Sequence, residues 1–175
     1  MTREGGNAGG HDRALERTVT IDAPALRVFA YVDKIHNLAR HMSEQSSMAM
    51  MGSRLKLDIV TPNFTGVGAT YRYSGRMMGL TLDFSETVTR YTPGREKVWH
   101  TIGEPKLLII ASYEMGVVVD PLTETETALT IVIRYDLPRS GPWRLIGRML
   151  APVYARWCLD NMTQGTKSDL ESRTA

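Results

Sequence analysis

A period-two alternation of hydrophobic residues between residues 66 and 138 is the feature that most constrains the fold of this chain. Such alternation is typical of strands that bury one face of a sheet, and turn signals separate the segments at hairpin spacing. The segments that carry it are GATYRYSGR (68–76), LTLDFSETV (80–88), REKVWHTI (95–102), LLIIASYEMGVVVD (107–120) and TALTIVIRYDLP (127–138). The pattern predicts an antiparallel sheet with one hydrophobic face, which another part of the chain must cover.

The residues before this region predict another strand and two short helices. LERTVTID (15–22) alternates as a strand, and Asp22 followed by Ala-Pro predicts the N-cap of a helix that extends through Val32. A second short helix is predicted from Asp33, and a further strand between residues 48 and 60.

The length and composition predict one soluble domain. Residues 1–14 are glycine-rich and lack a period, which predicts a disordered leader, so we expect a single domain over residues 15–172. With 42% hydrophobic residues, 23% charged residues and a net charge of +2, the composition gives no case for a nucleic-acid partner. The single cysteine, Cys158, and the lack of a secretory leader predict a cytoplasmic location. The oligomeric state is not predicted.

The segment LIGRMLAPVYARWCLDNM (145–162) predicts a long helix with one broad hydrophobic stripe. At about 100° per residue, that stripe contains Ile146, Met149, Leu150, Val153, Tyr154 and Trp157. Stable membrane insertion is not expected, because the segment contains Arg148, Arg156 and Asp160. We therefore expect the stripe to face the sheet, with a cavity between a strongly curved sheet and the helix.

The C-terminal part of the same helix leaves two questions open. Asp160, Asn161 and Gln164 continue the stripe, so they either hold a polar group inside the protein or mark the place where the helix leaves the sheet. Pro152 removes one helical hydrogen bond, which predicts either a kink or a break between two shorter helices.

Four pieces of the sequence resemble one known group of proteins. They are residues 19–42, with a strand, Ala-Pro and a helix; residues 66–103; residues 113–138; and the closing segment 143–171. In order and spacing they resemble the polyketide cyclase/dehydrase and lipid-transport group of the START/Bet v 1-like (SRPBCC) superfamily. The resemblance implies an α+β helix-grip fold, in which a curved antiparallel sheet of about seven strands wraps around a long C-terminal helix.

The resemblance also implies that a small hydrophobic molecule is enclosed between the sheet and the C-terminal helix. Our leading hypothesis is non-catalytic binding of a lipid, an isoprenoid or an aromatic polyketide, because fold alone does not define an activity. The residues predicted to contact this ligand are Tyr71, Tyr73, Leu82, Phe84, Tyr113, Ile133 and Tyr135 of the sheet, with Met149, Val153 and Trp157 of the helix.

An alternative hypothesis is a polyketide cyclase or dehydratase that uses general acid/base chemistry in the same cavity. The resemblance supplies no catalytic signature, so the candidates Glu86, His100, Tyr73 and Asp160 are chosen by residue type and position. Glu86 shares a face with Leu82 and Phe84, but the favoured interpretation is that a bulge or strand end returns this carboxylate to solvent. His100 faces inward only if its neighbour Trp99 does not.

No metal or cofactor is predicted. His36 and His41 are five residues apart, and the sequence lacks the HExxH motif, the cysteine-rich metal spacings, the P-loop and the dinucleotide fingerprint. The methionine-rich run at 48–51 is attributed to adaptable packing rather than to copper binding. A third hypothesis, a regulatory module that binds a protein partner, predicts a filled interior and an exposed hydrophobic patch.

Overall fold

A computed structural model describes residues 11–39, 54–62, 64–77, 80–107 and 109–172. The architecture is the α+β helix-grip fold, with a seven-strand sheet, two short helices after the first strand and one long C-terminal helix. In chain order the elements are β1 (Arg13–Ile21), α1 (Ala25–Val32), α2 (Ile35–Leu38), β2 (Arg54–Ile59), β3 (Thr70–Met77), β4 (Leu80–Thr92), β5 (Glu96–Lys106), β6 (Ser112–Pro121), β7 (Thr127–Asp136) and α3 (Pro142–Glu171).

All neighbouring strands of the sheet are antiparallel, and their order is β1-β7-β6-β5-β4-β3-β2. From β2 to β7 each strand pairs with the next one along the chain, as expected for consecutive hairpins. The first strand closes the other edge, where Leu15 of β1 lies opposite Ile133 of β7. This order places β1 and β7 together at one edge, and α3 packs on these two strands.

Alternating residues of the strands point towards α1 and α3, and we call this side of the sheet the inner face. Strand β7 alternates without interruption between buried and half-buried residues. Strand β4 continues the pattern with Leu82, Phe84, Glu86 and Val88, all of which are buried. The single hydrophobic face predicted from the sequence is therefore confirmed.

The N-terminal boundary and the first helix differ from the sequence predictions. Strand β1 begins at Arg13, and the backbone N–H of Asp12 donates a hydrogen bond to Asp136 Oδ1 at 3.1 Å. Residues 11–14, which the sequence assigns to the leader, thus contact the fold, whereas residues 1–10 lie outside the described ranges. Asp22 is not the N-cap of α1, because Pro24 occupies that position and no side chain caps the helix.

Helix α3 faces the sheet with the opposite side from the one that the sequence predicts. Met149 and Val153 are 70% and 65% exposed, and Ile146 and Leu150 are exposed as well. The buried residues are Gly147, Ala151, Ala155, Cys158, Leu159, Met162, Thr163, Thr166 and Leu170. The predicted facing of the hydrophobic stripe is therefore wrong for the first half of the helix.

Small residues explain this reversal. A Cβ atom at Gly147 would lie 2.6 Å from the carbonyl oxygen of Ile109, so the backbone of α3 contacts this neighbouring segment directly. Ala151 and Ala155 continue the contact side at intervals of four residues, and both are fully buried. Because a close backbone contact leaves no room for large side chains, the bulky residues turn outward.

Pro152 lies within one continuous helix rather than between two. Helix α3 extends over 30 residues, from Pro142 to Glu171, so the predicted break is absent. Although the helix is long, neither it nor the other helices of the described ranges have the hydropathy that crossing a membrane requires.

We predict that Gly147→Ala lowers the free energy of unfolding, because the added methyl group collides with the backbone of residue 109. The expected cost is about 1–3 kcal/mol, the usual range for overpacking. The matched control is Gly165→Ala in the same helix, where a Cβ meets nothing within 4 Å and where alanine gains helix propensity. Urea denaturation of both variants checks the prediction, and equal stability of the two would contradict it.

Candidate functional site

Glu86 lies in the middle of the inner face and is only 2% exposed. The favoured sequence interpretation, in which a bulge returns this carboxylate to solvent, is wrong. Strand β4 does pair irregularly with β5: before Glu86, a step of two residues in β4, from Asp83 to Ser85, faces a step of four residues in β5, from Lys106 to Ile102. The second irregularity follows Val88. The alternation within β4 is thus intact at Glu86, which stays on the inner face.

Aromatic side chains surround this carboxyl group. Tyr73 of β3 lies directly opposite Phe84 of β4, and their rings stack at 4.9 Å with an interplanar angle of 13°. Phe84 also makes an edge contact with Tyr113 of β6, at 6.1 Å between ring centroids. The Tyr113 hydroxyl donates a hydrogen bond to Glu86 Oε1. Residues of β3, β4 and β6 therefore build one aromatic cluster around a carboxyl group.

Burial raises the pKa of Glu86 from 4.5 to about 7, because the charged form loses its hydration. Hydrogen bonding from Tyr113 opposes this shift, as do the nearby donors of Trp99 and Tyr73 and the charge of Lys97. The second oxygen, Oε2, has no hydrogen-bond partner of good geometry among the described residues. A half-satisfied carboxyl group that titrates near neutral pH thus occupies the interior.

The tyrosines of the cluster remain protonated at neutral pH. Burial and the nearby Glu86 charge raise the pKa of both Tyr73 and Tyr113 well above its usual value. Burial, followed by the charges of Asp33 and Glu86, raises the pKa of Tyr71 to about 12. Their hydroxyl groups can therefore donate hydrogen bonds across the physiological pH range.

A buried lysine, which the sequence analysis did not select, lies beside this cluster. Lys97 of β5 is fully buried, and its Nζ donates to Asp33 Oδ1 at 2.9 Å, to the Asp33 carbonyl at 2.7 Å and to the Tyr71 hydroxyl at 3.3 Å. The Tyr91 hydroxyl donates to the other Asp33 oxygen at 3.0 Å. The available signal was alternation, since Lys97 precedes Trp99 by two residues and both point inward.

Of the residues predicted to contact a ligand, those of the sheet share the inner face. Tyr71, Tyr73, Leu82, Phe84, Ile133 and Tyr135 are buried there, and Tyr113 is half-buried. On α3, Trp157 is half-buried and stacks on Tyr154 at 6.0 Å. Met149 and Val153 point away from the sheet, so the structure does not bring them to this cluster. Contact of the others with a ligand stays a prediction.

The four catalytic candidates are not brought together either. Glu86 and Tyr73 lie in the aromatic cluster, whereas His100 follows the inward-pointing Trp99 and therefore occupies the other face of the sheet. Asp160 is half exposed and pairs with Arg17 Nε at 3.0 Å. Asn161 donates to the Trp157 carbonyl and Gln164 is exposed, so the polar end of the predicted stripe does not enter the interior.

The described part of the chain supports neither a metal site nor a reactive thiolate. No three histidine, cysteine or acidic side chains there are close enough to hold a metal ion, and His41 and the 48–51 run lie outside it. Burial raises the pKa of Cys158 to about 12, so this thiol is not a thiolate at neutral pH.

Residues 12–167 match the family model for polyketide cyclase/dehydrase and lipid transport. The chain is also similar to the solved Zhui aromatase/cyclase from a Streptomyces species, with a TM-score of 0.73 and 14% identity over 93% of this chain and 96% of that one. A norcoclaurine synthase from Thalictrum has a TM-score of 0.66 and 14% identity over 93% of this chain and 96% of that one. A START superfamily protein from Mycobacterium smegmatis has a TM-score of 0.62 and 13% identity over 93% of this chain and 99% of that one. At these identities the similarities show the fold alone, and no curated protein sequence matches the chain.

We predict that Glu86→Gln stabilises the protein at alkaline pH but not at acidic pH. The folded-state pKa of about 7 exceeds the unfolded value of 4.5, so the contribution of protonated Glu86 to stability is complete below pH 4.5 and is lost as the pH rises through 7. Glutamine is neutral throughout, and its advantage should grow to about 3 kcal/mol at pH 8.5.

Urea denaturation at pH 4.5, 7 and 8.5 measures this advantage. The control is Glu114→Gln in strand β6, which removes a carboxylate that accepts a hydrogen bond from Arg134 of β7 at 2.8 Å. That variant should gain no stability at alkaline pH. A difference between wild type and Glu86→Gln that does not depend on pH would show that Glu86 is not a buried titrating group.

Proposed function

Because the chain belongs to the polyketide cyclase/dehydrase and lipid transport family, we propose that it binds a small hydrophobic molecule between the inner face of the sheet and α3. Glu86 recognises a polar group of that molecule, and the aromatic cluster contacts its ring or chain. The proposed contacts are Tyr71, Tyr73, Leu82, Phe84, Tyr113, Ile133, Tyr135 and Trp157. We propose a cytoplasmic location for this activity.

The observation that carries this proposal is that Oε2 of the buried Glu86 has no hydrogen bond of good geometry among the described residues, although Trp99 and Tyr73 lie nearby. A buried carboxyl oxygen without a partner costs free energy, and native proteins leave few such atoms. A hydroxyl group of a ligand would satisfy it. The surrounding rings would supply affinity through buried hydrophobic area, at roughly 25 cal/mol per Å². A hydrophobic ligand with one or a few oxygen atoms fits both features.

The charges of the site favour a neutral ligand. Lys97 is already paired with Asp33, so its charge is largely compensated within the protein. The nearby tyrosines donate hydrogen bonds without carrying charge, because the pKa of each is raised. An anionic ligand would meet the Glu86 carboxylate above pH 7 without a cation to compensate it. We therefore infer that the ligand carries hydroxyl or carbonyl oxygens rather than a carboxylate.

Two probes of similar shape test the role of Glu86. The hydroxyl of 2-naphthol donates a hydrogen bond, so it should bind more tightly when Glu86 is ionised, at pH 8.5, than at pH 5.5. The carbonyl of 2-acetylnaphthalene accepts one, so its affinity should change in the opposite direction. A hydrogen bond to a charged group contributes about 1.5–3 kcal/mol, so we expect roughly a tenfold change in Kd or more.

Calorimetric titration of both probes at the two pH values measures these affinities. Glu86→Gln should remove the pH dependence for both probes, whereas Glu114→Gln in β6 should keep it. Equal affinities at both pH values in the wild type, or no binding of either probe, would contradict the proposed role of Glu86.

A second candidate function is proton-transfer catalysis by Glu86, and the value of its pKa favours it. A general base works best when its pKa is close to the operating pH, and burial raises that of Glu86 to about 7. As a base, Glu86 would take a proton from the carbon next to a ketone, leaving an enolate. The protonated Tyr73 hydroxyl would donate a hydrogen bond to the enolate oxygen. Ring closure in a polyketide cyclase needs a carbon nucleophile of this kind.

Deuterium exchange into the methyl group of 2-acetylnaphthalene, followed by NMR in D2O, separates catalysis from binding. If Glu86 is a base, the protein should accelerate exchange, and the acceleration should increase as the pH rises through 7. Glu86→Gln should reduce it about a hundredfold, the lower end of the range for general-base catalysis. Exchange at the rate of buffer alone, with binding intact, would leave the binding function and exclude this proton transfer.

A further inference from the structure

The first three turns of α3 expose a continuous hydrophobic surface, which we call the α3 apolar face. Its members are Trp143, Leu145, Ile146, Met149, Leu150 and Val153. Their exposed fractions range from 37% at Ile146 to 70% at Met149. Scattered exposed hydrophobic residues are normal, but six on one helical surface indicate an interaction site.

The orientation of this part of α3 is the reverse of an ordinary surface helix, which exposes polar residues and buries its hydrophobic ones. Here the small residues Gly147, Ala151 and Ala155 are buried, and the bulky residues lie on the opposite side of the helix. The close contact of Gly147 with Ile109 fixes that orientation. A rotation that would bury the bulky side chains would lose this contact, so the exposure is a property of the packing.

Every charged residue in the chain segment that carries the α3 apolar face is an arginine. Between residues 137 and 159 the chain contains four arginines and no aspartate or glutamate: Arg139, Arg144, Arg148 and Arg156. The three on the helix are exposed. This segment therefore carries a formal charge of +4, although the whole chain carries only +2.

We propose that the α3 apolar face docks on the surface of an anionic lipid membrane. Helices that lie in the membrane interface combine a face of bulky hydrophobic residues with polar residues rich in arginine or lysine, and this segment contains both. Arginines near an anionic leaflet add attraction, and tryptophans such as Trp143 favour the interface. The helix lies on the membrane in this arrangement and does not cross it.

Charge also distinguishes a lipid surface from a second copy of this chain. A two-fold symmetric dimer would place the same face of each copy against the other, so that the arginine clusters would repel each other. An anionic membrane has the complementary sign.

The proposed docking would have a consequence for the proposed function, on which this step rests. The docked protein would place the N-terminal half of α3 in the bilayer surface. Hydrophobic molecules of the kind proposed to bind between α3 and the sheet dissolve in the bilayer. The ligand would then pass between bilayer and protein with little exposure to water. Docking itself does not depend on the ligand, so the two proposals are tested separately.

Vesicle sedimentation with the full chain and no added ligand tests the docking. We expect binding to vesicles of phosphatidylcholine with phosphatidylglycerol, and at least tenfold weaker binding to phosphatidylcholine alone. Met149→Asp and Val153→Asp, both at exposed positions, should each reduce binding at least tenfold. Leu122→Asp is the matched control, because Leu122 is an exposed hydrophobic residue in the β6–β7 turn, and its binding should equal that of the wild type.

Arg148→Gln should weaken binding to the anionic vesicles by about fivefold and reduce its dependence on salt concentration. Failure of the wild type to bind anionic vesicles would overturn the proposal. So would a wild-type dimer that Met149→Asp converts to a monomer, or binding that Met149→Asp leaves unchanged. Titration of each variant with 2-naphthol in solution keeps the proposals apart, since loss of docking should leave that affinity unchanged.

Discussion

One helix cannot cover a sheet of seven strands, and this mismatch in size determines where the candidate site lies. Strands are about 4.7–4.9 Å apart and a helix with its side chains is about 10–12 Å wide, so one helix covers roughly two strands. Helix α3 packs on β1 and β7, which lie together at one edge of the sheet. Glu86 and its aromatic neighbours lie on the strands from β3 to β6, beyond the two strands on which α3 packs.

The facing of the strand residues could be predicted, because side chains along a strand alternate strictly between two faces. The facing of α3 could not, because helical periodicity groups residues by side without showing which side meets the sheet. Alternation alone places Tyr73, Phe84 and Glu86 on one face, and the structure confirms that arrangement. The error at Glu86 was to expect a bulge at the carboxylate, when the irregular pairing lies on either side of it. In α3 a rotation of about 100° per residue correctly groups the bulky residues on one side. The small residues nevertheless face the sheet, because Gly147 makes a close contact that only the three-dimensional structure shows.

The two buried charged groups of the inner face illustrate different solutions to the cost of burial. Lys97 has three hydrogen-bond acceptors, including an aspartate, and it joins strand β5 to the end of α1. Glu86 accepts a hydrogen bond from a tyrosine on one oxygen and has none of good geometry on the other among the described residues, and burial favours the neutral acid. The sequence did not indicate this difference, because partners come from strands and helices far apart along the chain. Lys97 therefore fits a structural role, whereas Glu86 can still form a hydrogen bond with another molecule.

The contacts at the two ends of α3 are unequal. Near its C-terminal end, Lys167 donates to the Thr20 carbonyl at 2.7 Å, Glu171 accepts from the Asp22 backbone at 3.1 Å, and the Tyr31 hydroxyl donates to Asp169. The N-terminal turns pack through Gly147 and Ala151, and their bulky side chains contribute little buried area. Amide hydrogen exchange should therefore be slow in the last turns and fast in the first ones. One end of the helix is thus joined to β1 and α1 by hydrogen bonds, whereas the other end is held by the packing of its small residues.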